Sequence, residues 1–298
     1  MLFGKYATLT DPVHKTSYAA IDPARPALSQ AGRTVLVTGG GTGIGSGIVR
    51  GFAGASAARI IVVSRRPAVV AAAARALAAE AGYGGEVRGV PCDMGDAAAV
   101  DALWDGLAAE GVVVDVLVLN AATFAPSKPL LDLGTAAVWE IFNNNVRAQM
   151  HFAERFYKQA GKGASETKYL VHVSTAAIHD FTIGHEYLGY GLTKNAGQLA
   201  LQLIAQDTAP ERMQFVGYHP GAILSEAALA VGCTEDTLPW DHVDLPGHFA
   251  VWAASPEAKF LHGRFVWAAW DVDQLKNGEL RKRIDEEPAF LKIGVNGL

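Results

Sequence analysis

The chain has 298 residues, half of them apolar, with 25 basic against 30 acidic side chains and a formal charge of −5. That is enough apolar material for a sizeable core, and an acidic balance without a long basic run argues against a nucleic-acid partner. Two cysteines, Cys92 and Cys233, in no metal-like or framework spacing suggest a reducing compartment.

The N-terminus places Lys5, Asp11, His14 and Lys15 where a secretion signal needs an apolar core. Residues 1–32 carry Pro12, Pro23 and Pro26 and no sustained period, so they read as an irregular arm. From Thr34 onward, short β-branched runs alternate with longer Ala/Leu-rich segments. The strand-like runs are 34–38, 59–64, 86–92, 112–119, 169–174, 214–218 and 264–268. Helix-like stretches fall near 44–57, 68–82, 96–109, 135–160 and 187–208. The most apolar of these, Pro67–Ala79, contains Arg75 and is too short to cross a bilayer. The expectation is a cytoplasmic protein without membrane attachment.

Strands alternating with helices imply βαβ units, and runs apolar on both alternations imply strands buried on both faces. The predicted fold is therefore α/β: a doubly wound parallel sheet, Rossmann-like, with helices on both faces. No linker interrupts 34–270, so 33–298 reads as a single domain following the arm. Two connections, 174–186 and 220–246, are long for this architecture and follow strand C-terminal ends, where open α/β sheets bind ligands.

The first strand leads into Thr38-Gly39-Gly40-Gly41-Thr42-Gly43-Ile44-Gly45. A glycine-rich turn between strand and helix lets backbone approach a pyrophosphate, with the helix N-terminus facing it. This predicts dinucleotide binding. The second strand ends Ser64-Arg65-Arg66, and no acidic residue occurs between Asp22 and Glu80. A ribose 2′-OH is usually met by an acidic residue, whereas a guanidinium suits a 2′-phosphate. NADP(H) is thus the expected cofactor. Asp93, beside Met94 after the third strand, is placed either to touch the adenine or to cap the next helix.

Near the chain's middle stands Tyr190-Gly-Leu-Thr-Lys194. On a helix a spacing of four brings phenol and ammonium to one face. A cation so close is expected to lower the phenol pKa from its ordinary ~10, fitting it to exchange a proton with a carbonyl or alcohol oxygen. His172, inside a strand, reads as a satisfied core histidine. His179, Phe181, His185 and Tyr187, and separately Trp240, His242, His248 and Phe249, lie in or beside the two long loops and are candidates for lining a substrate pocket. The nine histidines show no metal-ligand spacing.

Taken in order, these motifs resemble the short-chain dehydrogenase/reductase family over 34–270. The glycine loop is similar to its Thr-Gly-x-x-x-Gly-x-Gly, and Tyr190/Lys194 to its Tyr-x-x-x-Lys. Asn120-Ala121-Ala122 is similar to Asn-Ala-Gly, with Ala122 in place of glycine. Asn145-Val146 resembles the segment of the catalytic asparagine, Ser174-Thr175 its serine pair, and Pro220-Gly221-Ala222-Ile223, with Ser225 beyond, the segment beside the nicotinamide. The arm and 263–271 resemble fungal members. The resemblance implies that Lys194 binds the nicotinamide ribose, Tyr190 is the proton donor, Thr175 or Ser174 orients the substrate oxygen, and Asn145 holds a water leading to Lys194. Thr175 stands where the family's catalytic serine does, at a slightly longer distance from Tyr190. It also implies pairing of the 135–160 and 187–208 helices between copies, giving a homodimer or homotetramer. The leading activity is NADPH-dependent reduction of a small, fairly apolar ketone or aldehyde, or oxidation of the corresponding alcohol. Dehydration or isomerisation with Tyr190 as acid/base, and cofactor sensing without turnover, are the alternatives.

Overall fold

The seven apolar runs form seven strands: β1 (Thr34–Thr38), β2 (Arg59–Ser64), β3 (Glu86–Pro91), β4 (Val116–Leu119), β5 (Lys168–Val173), β6 (Met213–His219) and β7 (Arg264–Trp267). They were located in a computed structural model, which describes residues 9–80, 82–124, 127–160, 167–180, 188–230 and 232–294. All pairings between them are parallel, in the order β3-β2-β1-β4-β5-β6-β7. The order reverses between β1 and β4, which opens a crevice at the C-terminal edge of the sheet.

The helices are α1 (Gly43–Gly54), α2 (Pro67–Ala79), α3 (Ala97–Ala109), α4 (Leu130–Leu133), α5 (Thr135–Phe142), α6 (Ala148–Lys158), α7 (Leu188–Gln206), α8 (Glu226–Ala230), α9 (Asp244–Ala253), α10 (Val272–Lys276) and α11 (Gly278–Glu286). Side-chain alternation along β1 shows how two cores arise. Val35 and Val37 face Ile48 and Phe52 of α1 and Trp252 of α9, while Leu36 faces the opposite core of Trp104, Phe152, Phe156 and Leu201. Helices α1 and α9 approach so closely that a Cβ at Gly51 would sit 2.8 Å from the Gly247 carbonyl oxygen.

Most predicted boundaries lie within three residues of the observed ones, and two elements differ more. The fourth strand starts at Val116 rather than 112, because α3 ends through Gly111 at φ +69° and Val112 N–H still bonds back to Leu107. The single helix expected over 135–160 is interrupted by a π-turn at Asn143–Arg147. Such a turn inserts a residue into the helical ladder and re-aims the side chains around it.

The described part of the arm, 9–32, is irregular, with short 3₁₀ turns at Ala19–Ile21 and Pro26–Leu28. It is nevertheless part of the body: Ile21 and Leu28 are fully buried in the α1/α9 core. Val13 bridges Trp270, His14 Nε2 lies 2.9 Å from Asp271 Oδ2, and Tyr18 donates to the Trp270 carbonyl. Among the described residues no helix is long and apolar enough to cross a membrane.

Candidate active site

A cavity of about 340 Å³ lies in the crevice at the β1/β4 reversal. Its floor is the glycine turn. Gly39 (φ +65°) and Gly43 (φ +52°) adopt left-handed backbone, and a Cβ on Gly45 would fall 2.0 Å from the Gly39 carbonyl oxygen. Glycine is therefore required here to bring α1 against the strand end. Thr42 at the α1 N-cap makes no side-chain capping bond, so the first N–H groups of α1 are left for a ligand. Gly39, Gly41, Thr42, Gly43, Ile44 and Gly45 all line the cavity.

Thr38 does not line it. Its buried hydroxyl donates to the Val118 carbonyl and accepts from the N–H groups of Asn120 and Ala121. It ties β1 to the β4 end, and the Asn120 amide reinforces the joint by donating to the Thr38 and Gly39 carbonyls. Asn120, Ala121 and Ala122 form the adjoining wall.

Ser64, Arg65 and Arg66 close one end of the cavity, and both arginines are exposed. The Ser64 hydroxyl is buried with no partner among the described residues. Asp93 and Met94 lie beside them. Capping of α3 falls to Asp96, which accepts from Ala98 and Ala99, so Asp93 is not the cap. Backbone cradle and adjoining walls together fit a nicotinamide dinucleotide.

The cavity is also lined by Val173, Ser174, Tyr190, Lys194, Pro220, Ser225 and Glu226, with Ser225 beside Gly43 of the turn. Tyr190 and Lys194 share one face of α7 and one cavity, but the expected lowering of the phenol pKa does not follow. Burial pushes the Tyr190 phenol up, and its ring stacks on Phe124 at 4.3 Å between centroids. The Lys194 ammonium turns to β5 instead. It donates to the Val173 carbonyl at 2.7 Å and lies 3.1 Å from His172 Nε2. Burial lowers the Lys194 pKa to about 7.

The two candidate hydroxyls part ways. Ser174 Oγ lines the cavity, buried and without a partner among the described residues, while Thr175 lies outside the lining and its Oγ1 accepts from Ala177 N–H at the start of a 3₁₀ turn. Asn145 is fully buried within the π-turn. Its side chain is committed to Thr123, through both N–H and carbonyl, and to Thr193 Oγ1 at 3.0 Å. It joins the post-β4 wall to α7 and does not itself line the cavity, whereas its neighbour Asn144 does.

Of the Pro220 segment, Pro220 and Ser225 line the cavity; Gly221 and Ile223 do not. That segment is held from behind. Ala222 N–H donates to Asp241 Oδ2 at 2.8 Å, and Asp241 N–H returns a bond to the Ala222 carbonyl at 2.7 Å. Lys15 of the arm donates to the Pro239 carbonyl, and its own carbonyl accepts from His242 N–H. The aromatic residues of this region do not reach the cavity: Phe249 is core, His248 bonds Ser17, and Trp240 donates to the Thr234 carbonyl. His179 receives the Trp267 indole N–H, while Phe181, His185 and Tyr187 lie outside the described residues. Among the lining, Thr123 and Phe124 escaped sequence reading; their position directly after Asn120-Ala121-Ala122 was the available signal.

A family model for short chain dehydrogenases matches residues 33–235. The chain is 35% identical to a short chain dehydrogenase/reductase from Aspergillus aculeatus, AacuD, over 98% of both chains. It is likewise 35% identical to a short chain dehydrogenase/reductase of Claviceps purpurea, covering 96% of this chain and 94% of that one. Among solved structures, an NADP complex of RhlG from Pseudomonas aeruginosa superposes with a TM-score of 0.72 at 22% identity, over 82% of this chain and 97% of the other. The L-sorbose reductase of Gluconobacter frateurii, complexed with NADPH and L-sorbose, gives 0.69 at 20% identity, over 81% and 96%. With strand order, glycine turn, Tyr190/Lys194 helix and near full-length fungal relatives in agreement, the chain belongs to the short-chain dehydrogenase/reductase family of oxidoreductases.

Proposed function

We propose that this protein is an NADPH-dependent reductase of a small, fairly apolar ketone or aldehyde. One observation carries the reading: a single cavity joins the glycine cradle and the Arg65/Arg66 end to Tyr190, Lys194 and Ser174, whose hydroxyl has no partner among the described residues. The nicotinamide cofactor, when bound, supplies the hydride. The open N–H groups of α1 hold the pyrophosphate, and the two guanidinium groups take a 2′-phosphate. Relatives of known fold crystallised with NADP or NADPH accord with that choice.

Tyr190 is the acid. Burial keeps its phenol protonated at neutral pH, the state needed to give a proton to an oxygen that gains negative charge as the carbonyl carbon is reduced. The Ser174–Thr175 pair supplies a hydroxyl that fixes that oxygen. Lys194 presents an ammonium donor to the ribose side. Phe124, half exposed and stacked on Tyr190, makes the wall apolar. Leu188, Leu192 and Leu203 of α7, all exposed, suit pairing with a second copy, as a homodimer or homotetramer in the cytoplasm.

The test is loss of NADPH absorbance with a panel of apolar ketones, aldehydes and quinones, alongside NADH. Turnover with NADPH and weak use of NADH is the expected result. Tight NADPH binding with no oxidation across the panel would overturn reduction and leave dehydration, isomerisation or sensing.

A further inference from the structure

Lys194, His172 and Gln198 form a buried polar chain that the sequence motifs do not explain. All three are 0–1% exposed. Lys194 and Gln198 stand four apart on α7 and therefore share the face turned to the sheet, and His172 of β5 lies between them. Gln198 Oε1 is 2.8 Å from His172 Nδ1, and His172 Nε2 is 3.1 Å from Lys194 Nζ.

The proton positions follow from the partners. Burial, and then the Lys194 charge, hold the His172 pKa well below its ordinary value, so the ring is neutral and has one N–H. An amide oxygen only accepts. The ring proton therefore sits on Nδ1, facing Gln198 Oε1, and Nε2 offers its lone pair to the ammonium. Gly217 on β6 makes room for this arrangement, since a Cβ there would lie 2.3 Å from Gln198 Oε1.

The geometry assigns His172 as a positioning residue: its Nε2, held in the accepting tautomer by Gln198, fixes Lys194 for its role toward the cofactor. An ammonium has three donors. Val173 O and His172 Nε2 take two, both from β5, leaving one for the cavity that Lys194 lines. Without the imidazole the four-carbon stem keeps a single anchor, and the third donor loses its direction. The inference rests on the reductase reading for its catalytic consequence, but not for its effect on cofactor binding.

The experiment compares His172→Met, which fills the space without an acceptor of comparable strength, with His172→Gln, whose carbonyl oxygen restores one. NADPH affinity is read by protein fluorescence, and kcat and KM by carbonyl reduction. A hydrogen bond to a charged group corresponds to about tenfold or more. His172→Met is expected to weaken NADPH binding and lower kcat by about that factor, with carbonyl KM within about threefold of the parent, and His172→Gln to recover most of both. Equal behaviour of the two folded variants, whether both impaired or both unimpaired, overturns the assignment. Should His172→Met not fold, Gln198→Met carries the test: it frees the ring to take the opposite tautomer, and unchanged NADPH affinity refutes the proposal. If the parent reduces no carbonyl, the reductase reading falls, while the affinity comparison still decides the role of His172.

Discussion

Replacing Lys194 by methionine should reveal a stability penalty that closes with pH. The ammonium is 1% exposed, and burial brings its pKa from 10.5 to about 7. A base depressed on folding is more protonated in the unfolded chain between those two values, so stability rises with pH across that window. At about pH 7 the unfolded chain carries the proton fully and the folded chain about half, a penalty of about 4 kcal/mol; by about pH 9.5 it falls to about 1 kcal/mol. Methionine has no such term. It does leave His172 Nε2 without a donor, a cost of about 1–3 kcal/mol that does not vary over this range. The diagnostic is therefore how the stability difference between variant and parent changes with pH. Urea denaturation of both proteins should show the variant's relative stability falling by about 3 kcal/mol between about pH 7 and pH 9.5. A difference that stays constant would refute a depressed lysine. A trend of the opposite sign would mean that the ammonium is stabilised in the fold.

Tyr190→Phe should lower turnover by about 10²–10⁴-fold, the usual contribution of general-acid catalysis, while NADPH affinity, measured by fluorescence titration, stays near the parent's. Retention of more than a few per cent of activity would remove Tyr190 as the acid. Changing Arg65 and Arg66 together to alanine should weaken NADPH binding by about tenfold or more and leave NADH binding almost unchanged; parallel losses for both would mean the arginines do not read the 2′-phosphate. Ser174→Ala should depress kcat more than Thr175→Ala, because of these two residues Ser174 lines the cavity, its hydroxyl without a partner among the described residues, and Thr175 does not line it. The reverse ranking in steady-state assays would move the hydroxyl role to Thr175.

Where the sequence carried a backbone requirement, it was legible. Apolar runs buried on both faces announce parallel strands, and Gly39, Gly43 and Gly45 announce a turn that no side chain could occupy. Arg65 and Arg66 were readable because their place at a strand end is set by the preceding run. Side-chain commitments were less so. Thr38 looks like part of a phosphate loop, yet its hydroxyl is spent joining β1 to β4. Asn145 carries the register of a catalytic motif, yet its amide is consumed by Thr123 and Thr193. Spacing also predicts that Lys194 acts on Tyr190, whereas the acceptors that attract it, Val173 O and His172 Nε2, come from a strand about 20 residues earlier in the chain. Periodicity locates a side chain on a face; it does not say which of several partners across that face will win.

The arm's contacts set an order on how the site is built. The cradle from β1 to the end of β2 draws on a short stretch near the start of the domain. The back support of the Pro220 segment closes over 224 residues, Lys15 to Pro239, and the arm's anchor over 257, His14 to Asp271. Closing loops of that length costs entropy before the contacts repay it. During synthesis the arm emerges ahead of the sheet but cannot dock on Asp271 until that residue has left the ribosome. The stretch that carries the glycine turn and Arg65/Arg66 is therefore synthesised well before the residues that complete the reacting end, but it gains its own neighbours, Asn120 and α9, only later in the chain.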